Sequence, residues 1–220
     1  MLYARRLVQG KTALVCNLSS FYVHPDYRGW SFALLAHALR DETVCYTSLT
    51  PSRTVTHMCE AMGFSYIDRN KIMLPPLLNA ITLRGPSPRI ISDPEQVRAL
   101  LDGEQRRIFD DHAPYDCLQL VLQSGLERAY LVVKRRTLGR FPLSDLLYCS
   151  APSLLARHLE RVKLAIIWRQ RSVALTAEAG IFGALRPLGV VIRRPKLFRS
   201  SVLQAHELDK LYSELVLLPL

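Results

Sequence analysis

Residues 17–40 read Asn17-Leu-Ser-Ser-Phe-Tyr-Val-His-Pro-Asp-Tyr-Arg-Gly-Trp-Ser-Phe-Ala-Leu-Leu-Ala-His-Ala-Leu-Arg40. They pass from an apolar strand through a sharp turn into an amphipathic helix. Phe21, Tyr22 and Val23 read as the end of the strand, and Pro25, which cannot donate to a ladder, turns the chain. From Trp30 onward the apolar residues recur at Phe32, Leu35, Ala36 and Leu39, one face of a helix. The start of a helix exposes unpaired backbone N–H groups at the positive end of its dipole. Small residues at Gly29, Ser31 and Ala33 let a phosphate approach that backbone, and Arg28 adds a fixed positive charge.

A second stretch, 43–64, repeats the strand-loop-helix order. Its strand covers about 44–49 and is closed by Pro51. Ser52 is the expected N-cap, Val55, Met58, Cys59 and Met62 follow at helical spacing, and Gly63 stops the helix before Phe64.

Together these residues resemble the GNAT-type (Gcn5-related) N-acetyltransferases. Val23-x-Pro25-x-x-Arg28-Gly29-x-Ser31-x-Ala33 resembles the coenzyme A signature, in which an Arg or Gln followed by two small residues wraps the pyrophosphate. Ser31 stands where the family usually has Gly. The resemblance implies acetyl-CoA as co-substrate, held by Arg28, Gly29, Trp30, Ser31, Phe32 and Ala33. It implies a thioester carbonyl held by a backbone N–H near Tyr22 or Val23, and no metal. The 43–64 stretch agrees with the family in order and in its terminal Gly-Phe, but departs in chemistry. The usual Asn falls on Ser52, and the Tyr that often protonates the leaving thiolate falls on Cys59. Cys59 reads either as the proton donor or as packing. His24 reads either as a base for the incoming amine or as a surface residue.

Composition bounds these readings. A chain of 220 residues, 49% hydrophobic and 22% charged, is not disordered and allows one large or two small domains. It shows neither a membrane-length apolar run nor a signal-peptide pattern. The five cysteines, at 16, 45, 59, 117 and 149, form no C-x-x-C pair, so no disulfide framework or zinc site is indicated and a cytoplasmic location fits. The formal charge of +10 favours anionic partners. No helix-turn-helix, zinc-finger or RNA-stacking signature accompanies the basic clusters, which read as solvated faces rather than a nucleic-acid surface.

Along the chain, residues 2–8 and 12–23 are expected to form a hairpin turning at Gln9-Gly10-Lys11. Strands at 65–67 and 71–74 precede Pro75-Pro76, the apolar run 77–83 and the linker-like Gly85-Pro86-Ser87-Pro88. The expected division is 1–84, a partial GNAT domain, and 85–220, a degenerate GNAT-like half. It counts as N-terminally shortened because only about a dozen residues precede the cofactor strand, where the family normally has further helices and strands. The second half is expected to run strand (89–92), helix from Asp93-Pro94, strands at 117–122, 129–134 and 143–149, a helix at 153–169, strands at 172–177 and 188–193, and a last strand at 211–218. It lacks a phosphate loop: Ser150-Ala151-Pro152-Ser153 precedes its long helix.

The expected fold class is therefore α/β (α+β), a mixed, mostly antiparallel sheet flanked by helices. The expected function is transfer of an acetyl or acyl group from coenzyme A to an unidentified amine. The rival is a non-catalytic GNAT-like module that binds acyl-CoA or a partner, favoured by Cys59, Ser52 and the short start. The expected partners are a coenzyme A thioester and an amine, not nucleic acid or membrane, with a homodimer left open.

Overall fold

The computed structural model describes residues 1–8, 10–77, 86–183 and 187–218. Gln9 of the expected hairpin turn, most of the apolar run 77–83 and Gly85 of the expected linker lie outside the described residues. Among the described residues, ten strands and seven helices follow in order. They begin with β1 (Leu2–Val8), β2 (Lys11–Asn17), α1 (Ser31–Ala38), β3 (Val44–Ser48), α2 (Arg53–Ala61), β4 (Ser65–Leu74) and β5 (Arg89–Ile91). Next come α3 (Pro94–Leu100), α4 (Gly103–His112), β6 (Cys117–Ser124), β7 (Glu127–Leu138) and β8 (Phe141–Cys149). The last are α5 (Pro152–Arg157), α6 (Leu159–Gln170), β9 (Ala174–Glu178), β10 (Val190–Arg199) and α7 (Glu214–Leu217). The class is mixed α/β with mostly antiparallel pairing, as the sequence implies.

Two compact units share these elements. One comprises Met1–Arg69 with Arg194–Leu218, the other Asn70–Arg193. The boundaries fall inside β4 and inside β10.

In the first unit β1 and β2 form an antiparallel hairpin, from Leu2↔Asn17 to Val8↔Lys11. β3 lies parallel to β2, from Leu14↔Val44 to Asn17↔Thr47, and β10 pairs antiparallel with β3 at Leu197↔Ser48. Alternate strand residues face opposite sides. Cys16, Val44 and Tyr46 pack with Leu35, Leu39, Cys59 and Phe64 on one side. Val15 and Cys45 pack with Val8, Phe198, Leu203 and Leu208 on the other. Each large apolar side chain so buried stabilises the unit by about 1.5–3 kcal/mol. α2 is capped as its sequence dictates: Val55 N–H donates to Ser52 Oγ at 3.3 Å, and Gly63 leaves the helix at φ +79°.

In the second unit the strand order is β4-β9-β8-β7-β6-β5. β8 and β9 are parallel from Leu143↔Ala174 to Asp145↔Thr176, and the remaining pairs are antiparallel. Leu120, Leu131, Leu146, Leu155, Val162 and Ile166 lie in its core. Gly189 is required there, because a Cβ would stand 2.5 Å from the Met73 carbonyl oxygen.

Several local expectations change. β2 ends at Asn17, and Phe21–Val23 are not strand; Ser20 takes the left-handed region at φ +56° and leads the chain off the sheet. The two short strands expected at 65–74 are one, β4. The helix after Asp93 divides before Gly103, which has φ +45°, and the helix expected at 153–169 divides at His158. The apolar tail is not a strand. Leu211, Leu215 and Val216 are buried at helical spacing, and Ser213 Oγ accepts from Leu215 N–H at 3.2 Å, opening the short helix α7.

Candidate functional site

The parallel pair β2/β3 sets the site. Its last paired residues are Asn17 and Thr47, joined through their side chains by Asn17 Nδ2 donating to Thr47 Oγ1 at 3.3 Å. Leu18 N–H still reaches the Thr47 carbonyl at 2.7 Å, and then the turn at Ser20 ends the pairing. The carboxyl ends of parallel strands are the usual position of ligand sites in such sheets.

Beyond it, residues 25–30 form a 3₁₀ turn that runs directly into α1. His24 caps this turn: its Nδ1 accepts from Asp26 N–H at 3.4 Å and lies 3.5 Å from Asp26 Oδ2. The ring is exposed and engaged locally, an arrangement of a turn-capping surface histidine. Arg28, Gly29, Trp30, Phe32 and Ala33 are exposed, and Ser31 is half-buried. The Arg28 carbonyl accepts from Ser31 N–H, while its guanidinium makes no hydrogen bond or ion pair among the described residues and is available to an anion. No atom lies within 4 Å of where a Gly29 Cβ would stand, and Ser31 has no side-chain cap before it. The 3₁₀ turn already takes the Ser31 N–H onto the Arg28 carbonyl, so what this start presents to solvent is the Arg28 side chain with exposed Gly29 and Ala33 beside it.

The face that α1 buries differs from the expected one. Leu35 and Leu39 are inside, while Phe32 and Ala36 are outside. Tyr22 is 75% and Trp30 66% exposed, and Val23 is half-buried in the irregular segment after β2. An oxyanion contact from a strand N–H at Tyr22 or Val23 therefore loses its strand: neither residue lies on a ladder.

Ser52 is exposed and engaged as the cap of α2. Cys59 is fully buried in the core of the first unit. Burial pushes its thiol up to about 11, opposed in part by a hydrogen bond with Ser48. The thiol stays protonated at neutral pH, as a proton donor must, but it faces apolar neighbours.

The ends of β2 and β3 also meet three groups that the sequence reading did not single out. Glu214 N–H donates to Asn17 Oδ1 at 3.4 Å, and Thr50 Oγ1 donates to Glu214 Oε1 at 2.7 Å. Glu214 is 2% exposed, and its second oxygen, Oε2, is buried with no hydrogen-bond partner among the described residues. The tail that carries it is fixed by Arg6, whose guanidinium donates twice to Asp209 at 3.1 and 2.7 Å. The signal available in sequence was a single carboxylate interrupting an apolar tail.

Among the described residues no helix is long and apolar enough to cross a membrane. No family model and no curated protein matches the sequence. Solved structures do resemble the fold. A GCN5-related N-acetyltransferase from Anabaena variabilis aligns over 90% of this chain and 57% of its own, with 11% identity and a TM-score of 0.50. Eis1 from Mycobacterium abscessus aligns over 90% and 60%, with 12% identity and a TM-score of 0.40. A GCN5-related N-acetyltransferase from Sphaerobacter thermophilus aligns over 91% and 76%, with 14% identity and a TM-score of 0.41. The chain thus has the fold of GCN5-related N-acetyltransferases and spans 57% of the length of the Anabaena structure.

Proposed function

We propose that this chain binds an acyl-CoA, acetyl-CoA in the first instance, and transfers its acyl group to an amine. The observation that carries the reading is one juxtaposition. A parallel strand pair parts at Asn17 and Thr47, and the chain then enters α1 through Arg28, whose side chain is unpaired, and the small residues Gly29, Ser31 and Ala33. The pyrophosphate would lie along the exposed residues 29–33, with Arg28 as its countercharge. The pantetheine arm would run toward the parting of β2 and β3. There a backbone N–H of the segment that leaves β2, which includes Tyr22 and Val23, would hold the thioester carbonyl. Ser52 enters this reading as a helix cap, and His24 as a turn cap.

A second reading, a non-catalytic acyl-CoA-binding module, draws on Cys59. The residue that stands in the proton donor's place is sealed in the core. The two readings share the binding step and differ in turnover.

Calorimetric titration of the purified chain with acetyl-CoA tests both, against an Arg28→Ala, Ser31→Tyr variant. Micromolar affinity that weakens at least about 100-fold in the variant, some 2.8 kcal/mol, supports the phosphate cradle. No binding to the folded wild type overturns it. Release of free coenzyme A thiol in the presence of amines then separates enzyme from module.

A further inference from the structure

We propose that the β7/β8 hairpin of the second unit docks on the surface of a lipid bilayer rich in anionic headgroups. This stands apart from the acyl-transfer reading, because none of the residues involved belongs to the first unit.

The hairpin projects from its sheet. Its tip is the pair Leu138↔Phe141, turned at Gly139 with φ +60°. On one side the neighbouring strand β6 starts at Cys117, opposite Lys134, four residues short of Leu138. Four residues of extended chain span about 13 Å. On the other side β9 starts at Ala174, opposite Leu143, two residues short of Phe141. Among the described residues the tip therefore has no strand beside it on either edge. Both of its apolar side chains stand in water: Leu138 is 52% and Phe141 51% exposed. Such side chains, free on a projecting tip, gain by entering the boundary between headgroups and acyl chains.

The charge around the tip decides what covers it. Residues 134–143 and 161–174 contain no Asp or Glu. As sequence, Lys134-Arg135-Arg136 reads as a solvated face, and the fold sorts these cations. Lys134 is buried, and Arg136 lies 3.4 Å from Asp145. Arg135, Arg140 and Arg171 are exposed, and their guanidinium groups make no ion pair among the described residues. Arg140 lies over the Phe141 ring, 5.3 Å from its centroid. Arg171 follows α6, whose end is held against the hairpin. Gln170 Nε2 donates to the Val133 carbonyl at 3.3 Å, and Val173 N–H donates to the Pro142 carbonyl at 2.8 Å. The same helix end carries Trp168, 80% exposed. Of the neighbouring carboxylates, Asp145 is sealed inside its ion pairs, and Asp116 stands before Cys117, back at the level of Lys134.

A point of Leu and Phe, unpaired arginines around it and an exposed Trp on the adjoining helix end complement a surface with phosphate outside and hydrocarbon beneath. Single-stranded nucleic acid fits less well, because it stacks on free aromatic faces. Leu138 offers none, and Arg140 covers one face of Phe141. A contact of this kind rests on the bilayer and needs no spanning helix.

The test is sedimentation of the full chain with vesicles of phosphatidylcholine alone or mixed with phosphatidylserine. The wild type is expected to pellet with the mixed vesicles, not with phosphatidylcholine alone, and to be released by salt. The double variant Leu138→Gln, Phe141→Gln should weaken partitioning by about 30-fold or more. Each of Arg135→Gln, Arg140→Gln and Arg171→Gln should weaken it by about fivefold. All five side chains are exposed, so the variants should melt with the wild type and keep its acetyl-CoA affinity. A second measurement uses the wild type alone: amide hydrogen exchange at residues 137–141 should slow when the mixed vesicles are added. Failure of the wild type to pellet, or undiminished pelleting of the double variant, would overturn the proposal. So would vesicle-bound protein whose 137–141 amides exchange as in solution, which would move the contact to the exposed aromatics around Trp30. Binding of a uridine oligonucleotide that the arginine variants lose, without vesicle binding, would overturn it in favour of nucleic acid.

Discussion

Each unit contains one parallel strand pair between antiparallel neighbours, and in each the crossover runs through helix. In the first unit, β2/β3 ends on Asn17 and Thr47, with Glu214 Oε2 unsatisfied among the described residues and the exposed Arg28 ahead of α1. In the second, β8/β9 ends on Asp145 and Thr176, and there the buried charges are held in ion pairs. Asp145 is 1% exposed and takes Lys71 at 2.8 Å, Arg136 at 3.4 Å and the Thr176 hydroxyl at 3.0 Å. Ser144 and Ser172 share a buried hydroxyl bond of 2.7 Å. The helix that follows β8 opens on Pro152 after an uncapped Ala151. A proline at the first position removes one of the N–H groups that an anion would use. The same topology thus ends on ion-paired buried charge in one unit and beside the exposed, unpaired Arg28 side chain in the other.

Breaking the ion-paired network should cost the most. Asp145→Ala leaves Lys71 and Arg136 without their shared partner and should destabilise by about 3–5 kcal/mol in urea unfolding. The folded fraction should bind acetyl-CoA as the wild type does. A loss of binding in that fraction would erase the distinction between the two pairs.

Alkaline titration compares the units through their thiols. Burial pushes Cys59 up to about 11 in the first unit and Cys149 up to about 12 in the second. In each case the unfolded thiol ionises first, so the stabilisation is complete below about pH 9 and is lost as pH rises toward the folded value. For Cys59 the loss is at most about 3 kcal/mol. Melting curves from pH 8 to 11 should fall less steeply for Cys59→Ala than for wild type, beyond the constant cost of the cavity. Parallel curves would show that the Cys59 thiol is not shielded.

The smallest effect separates a cap from a ligand contact. Ser52→Ala should lower stability by about 1 kcal/mol through α2 and leave acetyl-CoA affinity within twofold. A tenfold loss of affinity with unchanged stability would return Ser52 to the role implied by the family's Asn.

What was legible in the sequence was local. The Arg28–Ala33 stretch announces a helix start with small flanks. Ser52 and Gly63 cap and stop α2 where their chemistry requires. The order of elements, including the helix-rich crossover after β8, followed from periodicity. Phe21–Val23 misled because apolar residues satisfy a strand pattern whether or not a partner strand continues beside them. α1 misled similarly: its apolar residues allow more than one stripe, and packing chose Leu35 and Leu39 over Phe32 and Ala36.

The sequence by itself determined most of the elements, the cap of α2 and the cationic flank of α1, because those depend on residues within a few positions of one another. Tertiary structure alone decided where β2 stops pairing, which strand lies parallel to which, and that Glu214, 197 residues from Asn17, meets it at the end of β2. Such contacts depend on register and chain closure over long separations. A lone Glu in an apolar tail carries no trace of its distant contacts until the fold has buried it.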